Sequence, residues 1–325
     1  MRFILTLVIL LAGGCVGVGD AAAAPAGKRV ALLSMANTNP WVSAWTSTFI
    51  KSADKLGMKV TNLTSPYDPA MQSQEIDDAI AQKFDVILIE YANDQAVIPA
   101  LTRAKAAGVP VILWATPLQK QFEDLFLSYV GSDQVELGRL AGESLVKGLA
   151  KEGKTKGQIV AMTGLAQQLM TQMRMEGFRE VLAKSPDIKL VAVEDGKWNT
   201  ALSERIASDL FLRFGGTGGV DGVFAMADNQ ATGVIQAARA AGVTLGVARK
   251  GVVVVASNCM KDGIVHIKDG QQYGTGTQLP TLEAETAVKL VAKYFDGGTL
   301  QKYEYIKAHQ ITGDNAEEFA VACSY

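Results

Sequence analysis

Residues 29–41 read Arg29-Val30-Ala31-Leu32-Leu33-Ser34-Met35-Ala36-Asn37-Thr38-Asn39-Pro40-Trp41. The first six form an apolar run short enough for a buried strand. The rest form a polar turn that hands the chain to a helix. Asn39 is a candidate N-cap, because its side-chain oxygen can accept from the free amides of a first turn. Pro40 suits that first turn, where a missing N–H costs nothing. Beyond it, Trp45, Phe49, Ala53 and Leu56 recur at helical spacing, and Gly57 closes the helix. The unit is strand, turn, amphipathic helix, and its repetition decides the fold.

Downstream, Lys59 to Leu63 reads as the next strand, and Met71, Ile76 and Ile80 mark a helix. Phe84 to Ile89 is nearly all apolar, as in a parallel strand covered on both faces. A helix over Ala96 to Ala107 stops at Gly108, and Val109 to Trp114 is another strand. After Tyr129-Val130-Gly131 the rhythm restarts, with helices over 134–150, 168–184, 200–213 and 229–241. Strands over 157–163, 188–194, 220–226 and 251–257 alternate with them. Two rounds of this alternation imply an α/β protein of two doubly wound parallel sheets. Such sheets bind ligands beyond the carboxyl ends of their strands. With two lobes facing each other, those loops line one cleft.

Upstream, Arg2 and the apolar run Phe3 to Ala12 have the form of an export signal, too short to span a bilayer as a helix. Ala12-Gly13-Gly14-Cys15 would give a lipoprotein anchored through Cys15, and Ala22-Ala23-Ala24-Pro25 a protein freed into the periplasm. Lys plus Arg number 31 against 33 acidic residues, with no block of like charge. That excludes the basic footprint of a nucleic-acid binder. In an oxidising compartment Cys259 and Cys323 could pair, or remain two buried thiols.

Catalytic and metal-binding patterns are missing. The two histidines, His266 and His309, stand in no metal-ligand spacing, and neither G-x-S-x-G nor G-x-x-x-x-G-K-[ST] occurs. Gly215 to Gly219 lies between a helix and a strand, the wrong order for a dinucleotide fingerprint, and reads as a flexible connection. The sequence therefore points to a binding protein with no cofactor and no metal, not an enzyme. The strand ends supply its candidates. Trp41 can stack on the C–H face of a sugar ring or pack in the core. Trp198, after a strand of the second lobe, could be a facing wall. Glu90 ends the third strand, and Arg174 lies early in a helix; for both the plainer alternative is a salt bridge or an exposed helix face.

From Arg29 to Thr312 the chain resembles the ribose-binding branch of the type I periplasmic binding proteins. The resemblance is carried by Asn39-Pro40-Trp41, Ala107 to Ile112, Gly131-Ser132-Asp133 and Arg174-Met175-Glu176-Gly177-Phe178. Phe224 to Asp228, Val254 to Gly263 and Gln278-Leu279-Pro280 complete it. With the signal segment taken as 1–24, it implies an N-terminal lobe of 28–131 and 279–309, and a C-terminal lobe of 132–278 and 310–325. The lobes would be joined by crossings near Gly131-Ser132, Gln278-Leu279 and His309. It implies ligand contacts at Asn39, Trp41, Glu90, Arg174, Trp198, Asn258 and Gln278. Departures from the family pattern are Ala115-Thr116 in place of an Asp-Arg pair, Ala227 for asparagine, Asn258 for aspartate, and Glu90 for asparagine. The implied function is capture of a monosaccharide or polyol by a monomeric protein that delivers it to the permease of an ABC transporter. An amino sugar or cyclitol is the nearer variant, and presentation of the closed form to a chemoreceptor or sensor kinase is the rival role.

Overall fold

The computed structural model describes residues 25–35, 38–215 and 219–325. The expected export segment, Cys15 and most of the Gly215 to Gly219 stretch lie outside the described residues. One half of the chain runs β1 (Arg29–Ser34), α1 (Pro40–Asp54), β2 (Lys59–Thr64), α2 (Pro69–Ala81), β3 (Val86–Ile89), α3 (Asp94–Ala106), β4 (Val111–Trp114) and β5 (Ser128–Ser132). The other runs α4 (Gln134–Lys151), β6 (Gly157–Thr163), α5 (Leu169–Leu182), β7 (Ile188–Asp195), α6 (Thr200–Arg213), β8 (Gly222–Ala225) and α7 (Asp228–Ala240). It continues through β9 (Val253–Asn258), α8 (Lys261–Lys268) and β10 (Gly274–Thr277). Helix α9 (Pro280–Phe295) and β11 (Tyr303–Ile306) return to the first half, and β12 (Gln310–Thr312) and α10 (Ala316–Phe319) to the second.

Two six-stranded sheets result, ordered β2-β1-β3-β4-β5-β11 and β7-β6-β8-β9-β10-β12. All pairings are parallel except β10 with β12, which is antiparallel at the sheet edge. The shared order makes each sheet reverse direction between its first strand and its third. Crevices therefore open at the carboxyl ends of β1 and β3, and of β6 and β8.

The apolar runs are explained by coverage on both faces. Val30 and Leu32 point into one core while Ala31 and Leu33 point into another across the sheet. In the second sheet Val160 and Met162 divide from Ile159 and Ala161 in the same way. Strand period two thus gives two filled layers with no polar face. Helix starts follow the cap chemistry. Asn39 Oδ1 accepts from the Trp41 amide at 2.9 Å, and Asp68 and Asp133 cap α2 and α4 alike.

The chain passes between the sheets three times, after β5, after β10 and after β11. Polar bonds tie these passages together. Glu283 Oε1 on α9 accepts from the Ser132 amide at 3.1 Å and its hydroxyl at 3.0 Å. The Thr277 amide donates to the His309 carbonyl at 2.9 Å, and the His309 amide donates to Thr277 Oγ1 at 2.8 Å. Cys259 and Cys323 form a disulfide, with Cα atoms 5.2 Å apart.

Candidate functional site

The carboxyl ends of the two sheets face each other across one narrow gap, nearly closed in this structure. All seven sequence candidates line it: Asn39, Trp41, Glu90, Arg174, Trp198, Asn258 and Gln278. Four further residues complete the wall, Met35, Val42, Tyr67 and Met170, and sequence reasoning named none of them.

Arg174 organises the second-sheet side. It sits on the second turn of α5, 0 % exposed, and no carboxylate lies within ion-pair distance of it among the described residues. Its charge is met by four oxygens instead. Nε donates to Gln134 Oε1 at 2.7 Å, and Nη1 to the Met226 carbonyl at 2.9 Å and Asn258 Oδ1 at 3.0 Å. Nη2 donates to Gln278 Oε1 at 2.5 Å. A guanidinium carries five N–H groups, so one Nη2 hydrogen is uncommitted among the described residues. Burial pulls the group down to about 10, against the attraction of Glu283, so it stays charged at neutral pH. Neither the salt bridge nor the exposed helix face considered for Arg174 is what the structure contains.

Glu90 faces it from the first sheet. Its side chain is 2 % exposed and its Oε2 has no hydrogen-bond partner among the described residues. Burial, with Glu283 repelling it second, pushes its carboxyl up to about 8. Glu283 is also pushed up to about 8 by burial, eased by Ser132, Arg174 and Gln278. Gln278 Nε2 has no hydrogen-bond partner among the described residues. At neutral pH the acid form of Glu90 is favoured, and a carboxylic acid can both donate and accept. Tyr67, in the loop after β2, is pushed up to about 12 by burial and then by Glu90, with Asn39 holding it down by a hydrogen bond.

The aromatic walls differ in kind. Trp41 is 4 % exposed, its ring stacked on Trp114 at 6.2 Å, which stacks in turn on Trp45 at 4.0 Å. Its indole N–H donates to the Gln278 carbonyl at 2.7 Å, on the passage between β10 and α9. Trp41 is therefore a core residue and a cavity residue at once, where the sequence posed these as alternatives. Trp198 is half-buried and held by its own polar ends. Nε1 donates to Gln168 Oε1 at 2.7 Å, and its carbonyl accepts from Asn229 Nδ2 at 2.8 Å. Its ring lies so close over Gly164 that a Cβ there would sit 1.9 Å from the indole. The Arg174 guanidinium stands 5.6 Å from the ring centroid, within cation–π range.

Among the described residues no group of three or more His, Cys, Asp or Glu side chains could hold a metal ion. No helix among them is long and apolar enough to cross a membrane. His266 is occupied by Thr232 and Gln271, each at 3.3 Å.

A family profile, the periplasmic binding protein domain, matches residues 30–299. The chain belongs to that family. Its members are binding proteins, not enzymes. This binding protein is 28% identical over 298 residues to the D-apiose import binding protein of Paraburkholderia graminis, covering 90% of each chain. It is 25% identical to the ribose import binding protein of Haemophilus influenzae, over 90% of this chain and 94% of that one. Among solved structures, a galactofuranose binding protein superposes with a TM-score of 0.84 at 22% identity, covering 90% of this chain and 97% of that one.

Proposed function

We propose that this periplasmic binding protein captures a neutral monosaccharide or polyol between its two lobes and delivers it to the permease of an ABC importer. One observation carries the reading. Residues from both lobes surround a small gap with polar groups that lack partners among the described residues, Glu90 Oε2 and one Arg174 Nη2 hydrogen. Buried polar groups are almost always paired, so orphans converging on a hollow argue for a guest that pairs them. A hydroxyl fits, because it donates and accepts as an un-ionised Glu90 does. The names of the D-apiose and ribose relatives support the same class.

In this reading Asn39, Glu90, Arg174, Asn258 and Gln278 pair the ligand's hydroxyls, with Tyr67 added to them. Trp198 covers one face of the guest, and Trp41 holds the wall opposite. The lobes, 28–131 with 279–309 and 132–278 with 310–325, close by rotating about the three passages. Export relies on the segment over 1–24, with Cys15 the anchor if lipidation occurs.

The test is a thermal-shift and calorimetric panel of D-apiose, D-ribose, xylitol and myo-inositol, with gluconate and glucosamine as charged comparators. At least one neutral member should raise the Tm by mass action, and Trp198→Ala should weaken that member's binding. A gluconate or glucosamine response with no neutral response would overturn the ligand class. Silence across all six would overturn the reading.

A further inference from the structure

The cavity's Asn258 sits in an unusual backbone. Asn258 ends β9 with φ of 94°, and Cys259 follows with φ of 60°, two successive side-chain-bearing residues in the left-handed region. Such a turn persists only where its surroundings dictate it, and such turns gather at ligand clamps. Three ties dictate this one, and two come from the last three residues of the chain. The Tyr325 hydroxyl donates to the Asn258 carbonyl at 2.5 Å, and Cys323 is bonded to Cys259. The third is the Met260 amide, which donates to Asp228 Oδ2 at 2.9 Å.

The consequence reaches the cavity through one residue. Asn258 Oδ1 accepts from Arg174 Nη1, so the direction of that side chain fixes one of the four oxygens holding the guanidinium. The Tyr325 ring also packs against the core that contains Trp41 and Met260, and it lines a second crevice together with Pro40 and Met260. Burial raises the Tyr325 phenol well above its ordinary range, so it remains a donor at any physiological pH. The tail therefore reports on the site without lining it.

We infer that Tyr325, moored by the Cys259–Cys323 bond, is a positioning residue for the ligand site: it holds the Asn258–Cys259 turn that aims Asn258 at Arg174. This rests on the proposed sugar or polyol function, but part of its test does not. Tyr325→Phe keeps the ring and removes the hydroxyl, and removal of Tyr325 alone takes both. Each variant is compared with wild type by calorimetry against D-apiose, D-ribose, xylitol and myo-inositol, by apo thermal melt, and by hydrogen exchange of peptides covering Asn258 to Met260. The expected result is a Kd about tenfold higher for Tyr325→Phe, from one hydrogen bond, with an unchanged apo melt. Exchange should quicken at Asn258 to Met260 in both variants. Removal of Tyr325 should weaken binding at least as much. Unchanged exchange there overturns the inference whether or not any ligand binds. So does unchanged affinity, or an affinity loss that only follows a falling apo melt. If wild type binds nothing on the panel, the proposed function falls, and the exchange measurement alone decides the role of Tyr325.

Discussion

A guanidinium with no carboxylate beside it keeps its charge in a closed interior only while oxygens face its donors. Arg174 has four such oxygens, on Gln134, Met226, Asn258 and Gln278. Lysine cannot replace it, since a compact ammonium has three donors and no planar fork. Arg174→Lys should lower stability by about 2–4 kcal/mol in urea unfolding, because stranded buried acceptors cost about 1–3 kcal/mol each. It should also abolish ligand binding; a variant as stable as wild type would refute the account. Glu90 yields a pH prediction. Its carboxyl rises from 4.5 to about 8 on folding, so the unfolded chain gives up the proton first. The balance favouring the fold is complete below about pH 4.5 and is lost as pH climbs toward 8. Glu283 and Asp228, raised to about 8 and about 6, act in the same direction, while the lowered His266 acts oppositely below about pH 6.5. The informative quantity is therefore the difference in slope: Glu90→Gln should lose less stability than wild type between pH 5 and pH 8. Equal slopes would show that Glu90 does not titrate as its surroundings dictate. At this scale the sequence was legible wherever a strand end met a polar or aromatic residue. Tyr67 follows β2 under the same rule, while Met35 and Met170 resemble ordinary core thioethers until the fold places them at a hollow.

Elements position these side chains by close approach. Helices α4 and α5 pack so tightly that a Cβ on Gly138 would lie 2.0 Å from the Arg174 carbonyl oxygen. A Cβ on Gly177 would lie 1.9 Å from the Val135 carbonyl. The guanidinium's place in the cavity is thus set by a backbone contact between α4 and its own helix. Gly138→Ala should force the helices apart, costing about 1–3 kcal/mol by overpacking and moving Arg174 off its acceptors. Ligand affinity should fall more than the apo melt alone would imply. An unaltered affinity would show that α5 tolerates the shift. The elements themselves were readable because caps and periodicity are local: Asn39, Pro40 and Gly57 bound α1 as their chemistry requires. The antiparallel edge strand β12 was not, since three residues, Gln310 to Thr312, carry no periodicity and their direction depends on a partner far along the chain. Nor was the contact at Gly138 and Gly177, because a glycine in a helix looks the same whether or not another backbone lies against it.

For the whole molecule, the narrow gap between the sheets raises a question of access. Arg174, Glu90 and Gln278 are all buried while the gap is closed, so a guest reaches them only if the lobes part. The network across the passages limits how they can do so. Glu283 bonds to Ser132, and Thr277 to His309, at the passages themselves, whereas the bond from Gln168 Nε2 to Met35 Sδ spans the cleft at 3.2 Å and is weak. A rotation about the passages would break the weak contact and spare the strong ones. On the proposed reading the free protein is an open ensemble with a minor closed population, and the ligand shifts it by its differential affinity for the closed state. Solution scattering should give a radius of gyration that shrinks when the tightest-binding panel member is added. At a hundred times the Kd the same ligand should add about 2.7 kcal/mol of stability. Arg174→Met should bind nothing and show no compaction, while Trp198→Ala should compact at higher ligand concentration. A wild-type profile already compact without ligand and unchanged by saturation would mean that the lobes do not move, and capture would need another route into the gap.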